Sequence, residues 1–272
     1  MTNHHVRFAP SPTGDLHLGH AYSALYSWHA AKQNAGFFQL RIDDLDHTRC
    51  KDVFCQRQID DLHWLGLSWD RPPLYQSARL HRYRSALEFL QQQDLVYPCL
   101  LSRKEVDEIL SAPQESASLR GALTKDDEQA RIAKGTVPAW RLDIGKIKQM
   151  TPALYWFDAQ KGRQQVDMDS LRDSIIARRD IGASYDLSVV LDDYDSGISL
   201  VTRGADLFAQ TSLHRLLQQL LSLPSPLYDH HALIRDEDGK RLAKRDDAKS
   251  LTIYRENGAT LEDIKALLPP LS

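Results

Sequence analysis

The N-terminal part of the chain carries a pattern that strongly limits the folds open to it. Val6 to Ala9 is a short apolar stretch that runs into Pro10 to Gly14, a sequence that neither a helix nor a central strand accommodates. From Gly19 to Asn34, apolar residues recur at helical spacing and stop before Gly36, which predicts a helix with a glycine C-terminal cap. Phe37 to Ile42 then predicts a second strand. Strand, loop, helix and strand in this order predict a βαβ unit, and hence an α/β fold with a parallel sheet.

Further elements follow from apolar spacing. Cys50 to Leu67 and Ala78 to Gln93 carry apolar residues three and four positions apart, which predicts amphipathic helices covering one face of the sheet. Leu187 to Leu191 and Ile198 to Val201 are short apolar runs, and we predict buried strands there. Asp206 to Leu221 has leucines at helical spacing and predicts a helix.

One long segment interrupts this layering. Ser111 to Gly135 is polar and charged, with few large apolar residues, and it separates Lys104-Glu105-Val106 from the strand-like Ala139 to Leu142. We expect an insertion or a mobile segment there.

Composition excludes several classes of function. The formal charge of −3 provides no overall positive field for polyanions, so any nucleic-acid contact must be local. An apolar run of about 18 residues and a secretory signal pattern are both absent from the sequence, which predicts no membrane span and a cytoplasmic location. Cys50, Cys55 and Cys99 match no disulfide framework and are expected to be reduced thiols.

The first candidate site is His17-Leu18-Gly19-His20, where the loop enters the first predicted helix. Two imidazoles three residues apart could bind a metal, could be ordinary surface histidines, or could contact phosphate. The helix N-terminus favours phosphate, because it offers backbone N–H groups and the positive end of the helix dipole, and Gly19 permits close approach. Imidazoles at that place can donate to charge that develops on a phosphoryl group.

The second candidate site is Lys240 to Arg245, within the loop Arg235 to Lys249, where acidic and basic residues alternate. A charged loop of this kind is usually solvated. Four cations in six residues on a glycine-containing segment would also suit a lid that neutralises the pyrophosphate leaving group of a nucleoside triphosphate. Each motif alone is weak evidence for nucleotide binding, whereas the two motifs in this order are strong evidence.

Four ordered motifs resemble the glutamyl-type class I aminoacyl-tRNA synthetases. Arg7 to Gly14 followed by Leu16 to His20 resembles the start of that family with its HIGH motif, and Arg241 to Arg245 is similar to its KMSKS loop. Between them, Arg41 to Asp46 resembles R-I-E-D-T-D, and Val201 to Asp206 resembles V-x-R-G-x-D. The resemblance covers roughly residues 5 to 250.

The resemblance implies a Rossmann-like parallel sheet with flanking helices and an inserted connective segment. It divides the chain into a first half of the nucleotide-binding catalytic domain at 1–95, a connective, acceptor-type insertion at 96–180, and the second half at 181–272, with no anticodon-binding domain. Arg245 is followed by 27 residues in a chain of 272. The chain thus resembles the branch of the family reduced to a catalytic domain, which implies attachment of glutamate to queuosine in the anticodon arm of tRNA(Asp). We expect a monomer.

The resemblance also implies a glutamate site. Its residues would be Arg7, Phe8, Ala9, Pro10, Ser11, Asp43, Tyr185 and Arg203. The chemistry is suitable, because glutamate has two carboxylates and one ammonium, which two arginines and one carboxylate complement. The alternative is that Arg7 and Arg203 are surface strand residues and that Tyr185 is a core residue.

The nucleotide site follows from the same resemblance. ATP would be bound by His17, Gly19, His20, Arg241 and Lys244, with Mg²⁺. His17, His20 and Lys244 would be the catalytic residues, because they stabilise charge on the separating phosphates.

Two departures from the family pattern bear on this interpretation. Asp43 stands where the glutamyl pattern has Glu and the glutaminyl branch has Asp, so its carboxylate is set back by about 1.5 Å. The loop Ala9 to Pro12, which matches the glutamyl form, and Arg203 favour glutamate. The segment Tyr97-Pro98-Cys99-Leu100-Leu101 keeps one cysteine of the zinc ligands common in the family, and no structural zinc or other metal site is predicted.

Two rival functions stay open at this point. One is a ligase that attaches glutamate or another amino acid to a different acceptor. The other is a degenerate, non-catalytic module that binds RNA or nucleotide, which Asp43 and Ala243 both suggest.

Overall fold

The computed structural model describes residues 3–33, 35–111, 119–234 and 249–271. The strands are β1 His5–Phe8, β2 Phe37–Ile42, β3 Leu74–Tyr75, β4 Val96–Cys99, β5 Ala139–Leu142, β6 Tyr155–Asp158, β7 Gly162–Gln165, β8 Ile175–Ala177, β9 Leu200–Gly204 and β10 Leu227–His231. The helices are α1 Leu18–Lys32, α2 Asp52–Trp64, α3 Leu80–Gln92, α4 Arg103–Ser111, α5 Lys125–Ala133, α6 Ile144–Met150, α7 Tyr185–Asp195, α8 Thr211–Leu220, α9 Leu251–Glu256 and α10 Leu261–Ala266, and 3-10 turns lie at Gln76–Arg79 and Ala205–Leu207.

Strands β1 and β2 pair in parallel, with Val6 opposite Phe38, and helix α1 connects them. Strand β3 extends this sheet in parallel beyond β2. Val6, Leu40 and Ile42 are fully buried, which is typical of a parallel sheet covered on both faces. The predicted βαβ opening is therefore confirmed.

A second sheet has the strand order β7-β6-β10-β9, in which β10 is parallel to both β6 and β9. This sheet adjoins the first, because Ser199 N donates to His5 O (3.0 Å) and Arg7 Nη1 donates to Thr202 O (3.2 Å). His5 contacts Ser199 and Arg7 contacts Thr202, so residue numbers increase in the same direction in both segments. Strand β9 therefore runs parallel to β1. As a result, the carboxyl ends of β1, β2, β9 and β10 lie along one edge, where α/β proteins bind ligands.

A separate antiparallel sheet, β4-β5-β8, lies within residues 96–180. Strands β6 and β7 come from the same range, but β6 pairs with β10 of the second sheet. The range expected to be one insertion thus contributes strands to two sheets. The division at 95 and 180 stays a prediction.

The strand predicted at Leu187 to Leu191 is wrong, because these residues lie within helix α7. Ser184 caps this helix by accepting a hydrogen bond from Leu187 N (3.2 Å). All five residues are buried, so the run lacks the polar face that marks a helix at the surface. A short apolar run of this kind does not distinguish a strand from a buried helix.

The other helix and strand predictions hold with shifted bounds. Helices α2 and α3 lie within the two ranges predicted for them, and β9 overlaps the predicted Ile198 to Val201 strand at Leu200 and Val201. The predicted helix at Asp206 to Leu221 begins only at Thr211, after a 3-10 turn. Within Ser111 to Gly135 the structure places α5, none of whose side chains is buried. Of the helices described, not one has both the length and the apolar character needed to cross a bilayer.

Candidate active site

A cavity of about 390 Å³ opens at the edge where β1 and β9 end and helix α1 begins. Most of the residues predicted for the glutamate and ATP sites lie in its wall. These are Arg7, Phe8, Ala9, His17, Gly19, His20, Tyr185 and Arg203. Pro10, Ser11 and Asp43 are not among the residues that line this cavity, and Pro10 O accepts a hydrogen bond from Asp43 N (2.9 Å). The fold thus brings residues from both halves of the chain to one cavity.

The two histidines of the first motif cap the N-terminus of α1. His17 Nδ1 accepts a hydrogen bond from Gly19 N (3.1 Å), and His20 Nδ1 accepts one from His17 N (3.2 Å). Their ring centroids are 3.9 Å apart. Because each Nδ1 is an acceptor, the neutral ring carries its proton on Nε2, which is then a donor. The amide of Gly19, one of the backbone N–H groups at this helix N-terminus, therefore already donates to the His17 ring.

Arg7 and Arg41 share one carboxylate on helix α7. Asp193 accepts hydrogen bonds from Arg7 Nε (2.8 Å) and Arg7 Nη2 (3.2 Å), and from Arg41 Nη1 (2.6 Å). Burial raises the pKa of Asp193, but the two guanidinium groups outweigh burial and lower the pKa below its usual value. Sequence reasoning missed Asp193, although it lies only two residues after the apolar run that was wrongly predicted as a strand.

Asp43, predicted to bind the substrate ammonium, is buried and bound to Arg41. Its Oδ1 accepts from Arg41 Nε (2.7 Å) and its Oδ2 from Arg41 Nη2 (3.3 Å). Burial raises the pKa of Asp43, and the Arg41 guanidinium opposes that shift. Each carboxylate oxygen retains a second lone pair. Binding of the ammonium by Asp43 therefore stays a prediction.

Arg203 differs from the other two arginines in its partners. Its Nε donates to His230 Nε2 (3.1 Å), its Nη1 donates to His214 Nδ1 (3.2 Å), and its Nη2 donates to Thr211 Oγ1 (2.5 Å). No carboxylate in the described part of the chain forms an ion pair with it. Burial lowers its pKa, because a guanidinium out of water lacks solvation. This arrangement holds a positive charge that a substrate carboxylate can neutralise.

The ends of the second motif's loop lie at the same cavity. Leu233 and Ile234, before it, line the wall. After it, Ser250 forms a bridge with His17, and Leu251 N donates to Leu16 O (2.8 Å). Lys240, Arg241 and Lys244 lie outside the described residues, so their assignment stays a prediction.

The segment Tyr97 to Leu101, where the family resemblance would place zinc ligands, is largely apolar. Cys99 and Leu101 are buried with Tyr97, Val106 and Leu119 in one small cluster. Among residues 3–33, 35–111, 119–234 and 249–271, no group of three or more His, Cys, Asp or Glu is arranged to hold a metal.

Comparison with known proteins identifies relatives over nearly the whole chain. The family described as "tRNA synthetases class I (E and Q), catalytic domain" matches residues 3–267. A Glutamyl-Q tRNA(Asp) synthetase of Rhodobacter capsulatus is 45% identical over 97% of this chain and 99% of its own length. A glutamate–tRNA ligase of Chromobacterium violaceum is 38% identical over 93% of this chain, which spans only 55% of that ligase.

Among solved structures, a glutamate tRNA ligase from Elizabethkingia meningosepticum, in complex with its amino acid, superposes with a TM-score of 0.76 at 27% identity. The match covers 90% of this chain and 52% of that ligase, so the chain spans about half the length of such ligases. With the parallel sheet described above, this similarity confirms the Rossmann-like α/β fold expected for the class.

Proposed function

The chain belongs to the class I tRNA synthetases for glutamate and glutamine, and we propose that it activates glutamate with ATP and transfers it to the queuosine base of tRNA(Asp). The similarity to the Rhodobacter capsulatus enzyme carries this proposal, because it extends over nearly the full length of both chains at 45% identity. The longer glutamate–tRNA ligases are less similar, at 38%.

Activation would take place in the cavity at the N-terminus of α1. A carboxylate oxygen of glutamate attacks the α-phosphorus of ATP, the bond from that phosphorus to the pyrophosphate breaks, and glutamyl-adenylate forms. His17 and His20, whose Nε2–H groups are donors, stabilise negative charge on the phosphates. Mg²⁺, when bound, neutralises part of the triphosphate charge, and Lys244 supplies a further cation. Positioning and electrostatics supply most of the catalysis, as is usual for phosphoryl chemistry.

Amino-acid selection would depend chiefly on Arg203. Its guanidinium is buried and has only neutral hydrogen-bond partners among the described residues, so an anionic ligand gains a charge-assisted hydrogen bond there. Glutamine presents a neutral amide in place of the side-chain carboxylate and gains less. Tyr185, which is exposed and lines the cavity, would contact the same ligand.

Transfer would complete the reaction. A hydroxyl of the queuosine cyclopentene ring attacks the activated carbonyl, AMP leaves, and an ester forms. The hydroxyl proton leaves with the AMP phosphate or passes to solvent, so the step needs no further reactant.

The activation step can be tested without any tRNA. We expect glutamate-dependent exchange of pyrophosphate into ATP by the purified chain, and we expect Lys244→Ala to abolish it. Exchange that requires glutamine or another amino acid would contradict the glutamate assignment. No exchange with any amino acid would favour the non-catalytic RNA- or nucleotide-binding module.

The acceptor can be tested with two pools of tRNA. Radiolabelled glutamate should enter tRNA from normal cells and should not enter tRNA from cells that lack queuosine. Label in the deficient pool would point instead to a ligase with a different acceptor.

A further inference from the structure

Two carboxylate–imidazole pairs converge on the Arg203 guanidinium. On one side, His214 Nε2 lies 3.0 Å from Asp186 Oδ1, while its Nδ1 faces Arg203. On the other side, His230 Nδ1 lies 2.6 Å from Asp158 Oδ2, while its Nε2 faces Arg203. Each imidazole thus joins the same arginine to a carboxylate on a different element.

The hydrogen-bond chemistry fixes the tautomer of both rings. A guanidinium can only donate, so the ring nitrogens that face Arg203 must be unprotonated acceptors. The opposite nitrogens must then carry the protons and donate to Asp186 and Asp158. Thr211 Oγ1 accepts from Arg203 and lies 3.2 Å from His230 Nε2, to which its hydroxyl can donate. Every described partner of Arg203 is therefore neutral when the network is intact.

The partners of Arg203 orient its guanidinium without neutralising its charge. Asp193 binds Arg7 directly and offsets its charge, whereas Asp186 and Asp158 act on Arg203 only across an imidazole ring. The ring sets the direction of the guanidinium but leaves its charge for the ligand. We propose that His214 and His230 are positioning residues, which hold Arg203 toward the substrate carboxylate only while both are neutral, so that glutamate binding weakens in acid. This inference rests on the proposed function in taking the anion to be glutamate.

The groups around each ring favour the neutral form at neutral pH. His214 faces Asp186, Arg203 and the ring of Tyr185, whose centroid is 6.1 Å away. Burial and Arg203 lower the pKa of His214, and Asp186 opposes them. The net direction is down, so protonation occurs only on the acidic side of the usual range.

His230 lies in a similar environment of charges and rings. It faces Asp158 and Arg203, and Lys161 adds a second cation nearby. The rings of Trp156, Phe208 and Tyr228 pack against it. Burial lowers the pKa of His230, and the nearby cations Arg203 and Lys161 lower it further. Asp158 raises the pKa, but the net direction is down. Protonation of either ring would remove an acceptor from Arg203 and place a like charge beside it.

Two substitutions at His214 separate this role from simple packing. His214→Asn keeps an acceptor near the position of Nδ1, and His214→Phe keeps the ring but removes both nitrogens. We expect His214→Phe to raise the KM for glutamate in pyrophosphate exchange about tenfold, the cost of a lost charge-assisted hydrogen bond. The kcat and the KM for ATP should change less than about threefold, and His214→Asn should recover most of the glutamate affinity.

Calorimetric titration with glutamate between pH 5 and pH 8 provides the second readout. The wild-type affinity should fall toward pH 5, and the fall should be shallower in His214→Asn, which has one titrating ring fewer. His81→Phe, at an exposed histidine on α3, is the matched control and should behave as wild type. Circular dichroism and thermal melting show whether each variant folds.

Wild-type affinity and pH dependence in a folded His214→Phe variant would overturn the inference. A lower kcat with an unchanged KM for glutamate would do the same. Absence of any glutamate binding by the wild-type chain would instead contradict the proposed function, so the two failures have different readouts.

Discussion

The carboxylate of Asp193 accepts hydrogen bonds from two buried guanidinium groups, those of Arg7 and Arg41. Arg41 in turn binds Asp43, so two cations and two anions form one network beneath the cavity. Removing one member of such a network leaves an uncompensated charge among buried side chains. The cost of a broken buried ion pair is about 3–5 kcal/mol.

At the residue scale we therefore predict that Asp193→Asn lowers the free energy of unfolding by about 3 kcal/mol. It should also raise the KM for glutamate, because Arg7 loses the group that orients it. Urea denaturation measures the first effect and pyrophosphate exchange the second. Glu262→Gln, which breaks an exposed pair with Lys265, is the control and should cost less than about 1 kcal/mol. Equal losses in the two variants would contradict the prediction.

The same carboxylate gives a pH dependence of stability. The pKa of Asp193 is lower in the folded chain than in the unfolded chain, where it is about 4. Its stabilising contribution is complete above that unfolded value and is lost as pH falls through the folded pKa. We expect the urea midpoint to decrease between pH 5 and pH 3 more steeply in wild type than in Asp193→Asn. Parallel curves would show that the group does not titrate as described.

At the scale of elements, the N-terminus of α1 combines a structural and a chemical role in the same side chains. His17 accepts from Gly19 N and also lines the cavity. Asparagine is a good N-cap but lacks an imidazole. We predict that His17→Asn keeps the thermal midpoint but loses pyrophosphate exchange, whereas His17→Ala loses the exchange and about 1 kcal/mol of stability. Full exchange in a folded His17→Asn variant would remove His17 from the catalytic residues.

The link between α1 and β2 depends on a close approach rather than on a glycine cap. Ala35 takes the left-handed conformation, with φ of 49°, and Gly36 N donates to Ala31 O (2.8 Å). A Cβ on Gly36 would lie 2.0 Å from His4 O, where no adjustment of a side chain relieves the clash. Glycine was expected here for its conformational freedom, and the structure shows that it is needed for space.

Gly36→Ala should therefore lower the free energy of unfolding by about 3 kcal/mol, the upper part of the range for overpacking. The reason is that the backbone at His4, next to β1, must move. Gly121→Ala is the comparison, since Gly121 has a φ of 75° but no atom within 4 Å of a new Cβ. Gly121→Ala should lower the free energy of unfolding by only about 1 kcal/mol, the strain of a left-handed alanine. Chemical denaturation of the two variants tests this order, and the reverse order would contradict it.

At the scale of the whole molecule, the antiparallel sheet β4-β5-β8 packs through apolar contacts at the segment where the family resemblance would place zinc ligands. Cys99, Leu101 and Val106 form a buried cluster between β4 and α4. We predict that EDTA leaves the thermal midpoint unchanged, whereas Leu101→Ala lowers the free energy of unfolding by about 2–3 kcal/mol. Differential scanning calorimetry with and without the chelator provides the measurement. A fall in the midpoint on adding EDTA would show that a metal stabilises the fold.

The sequence by itself determined the N-terminal βαβ unit, the order of the motifs and the resemblance to a family. These are local properties, since apolar periodicity and short motifs are complete within a few residues. It predicted helix α7 wrongly, because that helix is buried on several sides and the apolar run has no polar face. The positions of the motif residues around one cavity followed from the resemblance rather than from periodicity.

Only the tertiary structure decided which buried arginine has no carboxylate partner among the described residues. Arg7 forms an ion pair with Asp193, 186 residues away in the sequence. Arg203 donates hydrogen bonds to two imidazoles, one on α8 and one on β10. In the sequence all the arginines are equal cations. Their partners come from distant elements, and the partner, more than the residue type, sets how much of each charge remains for a ligand.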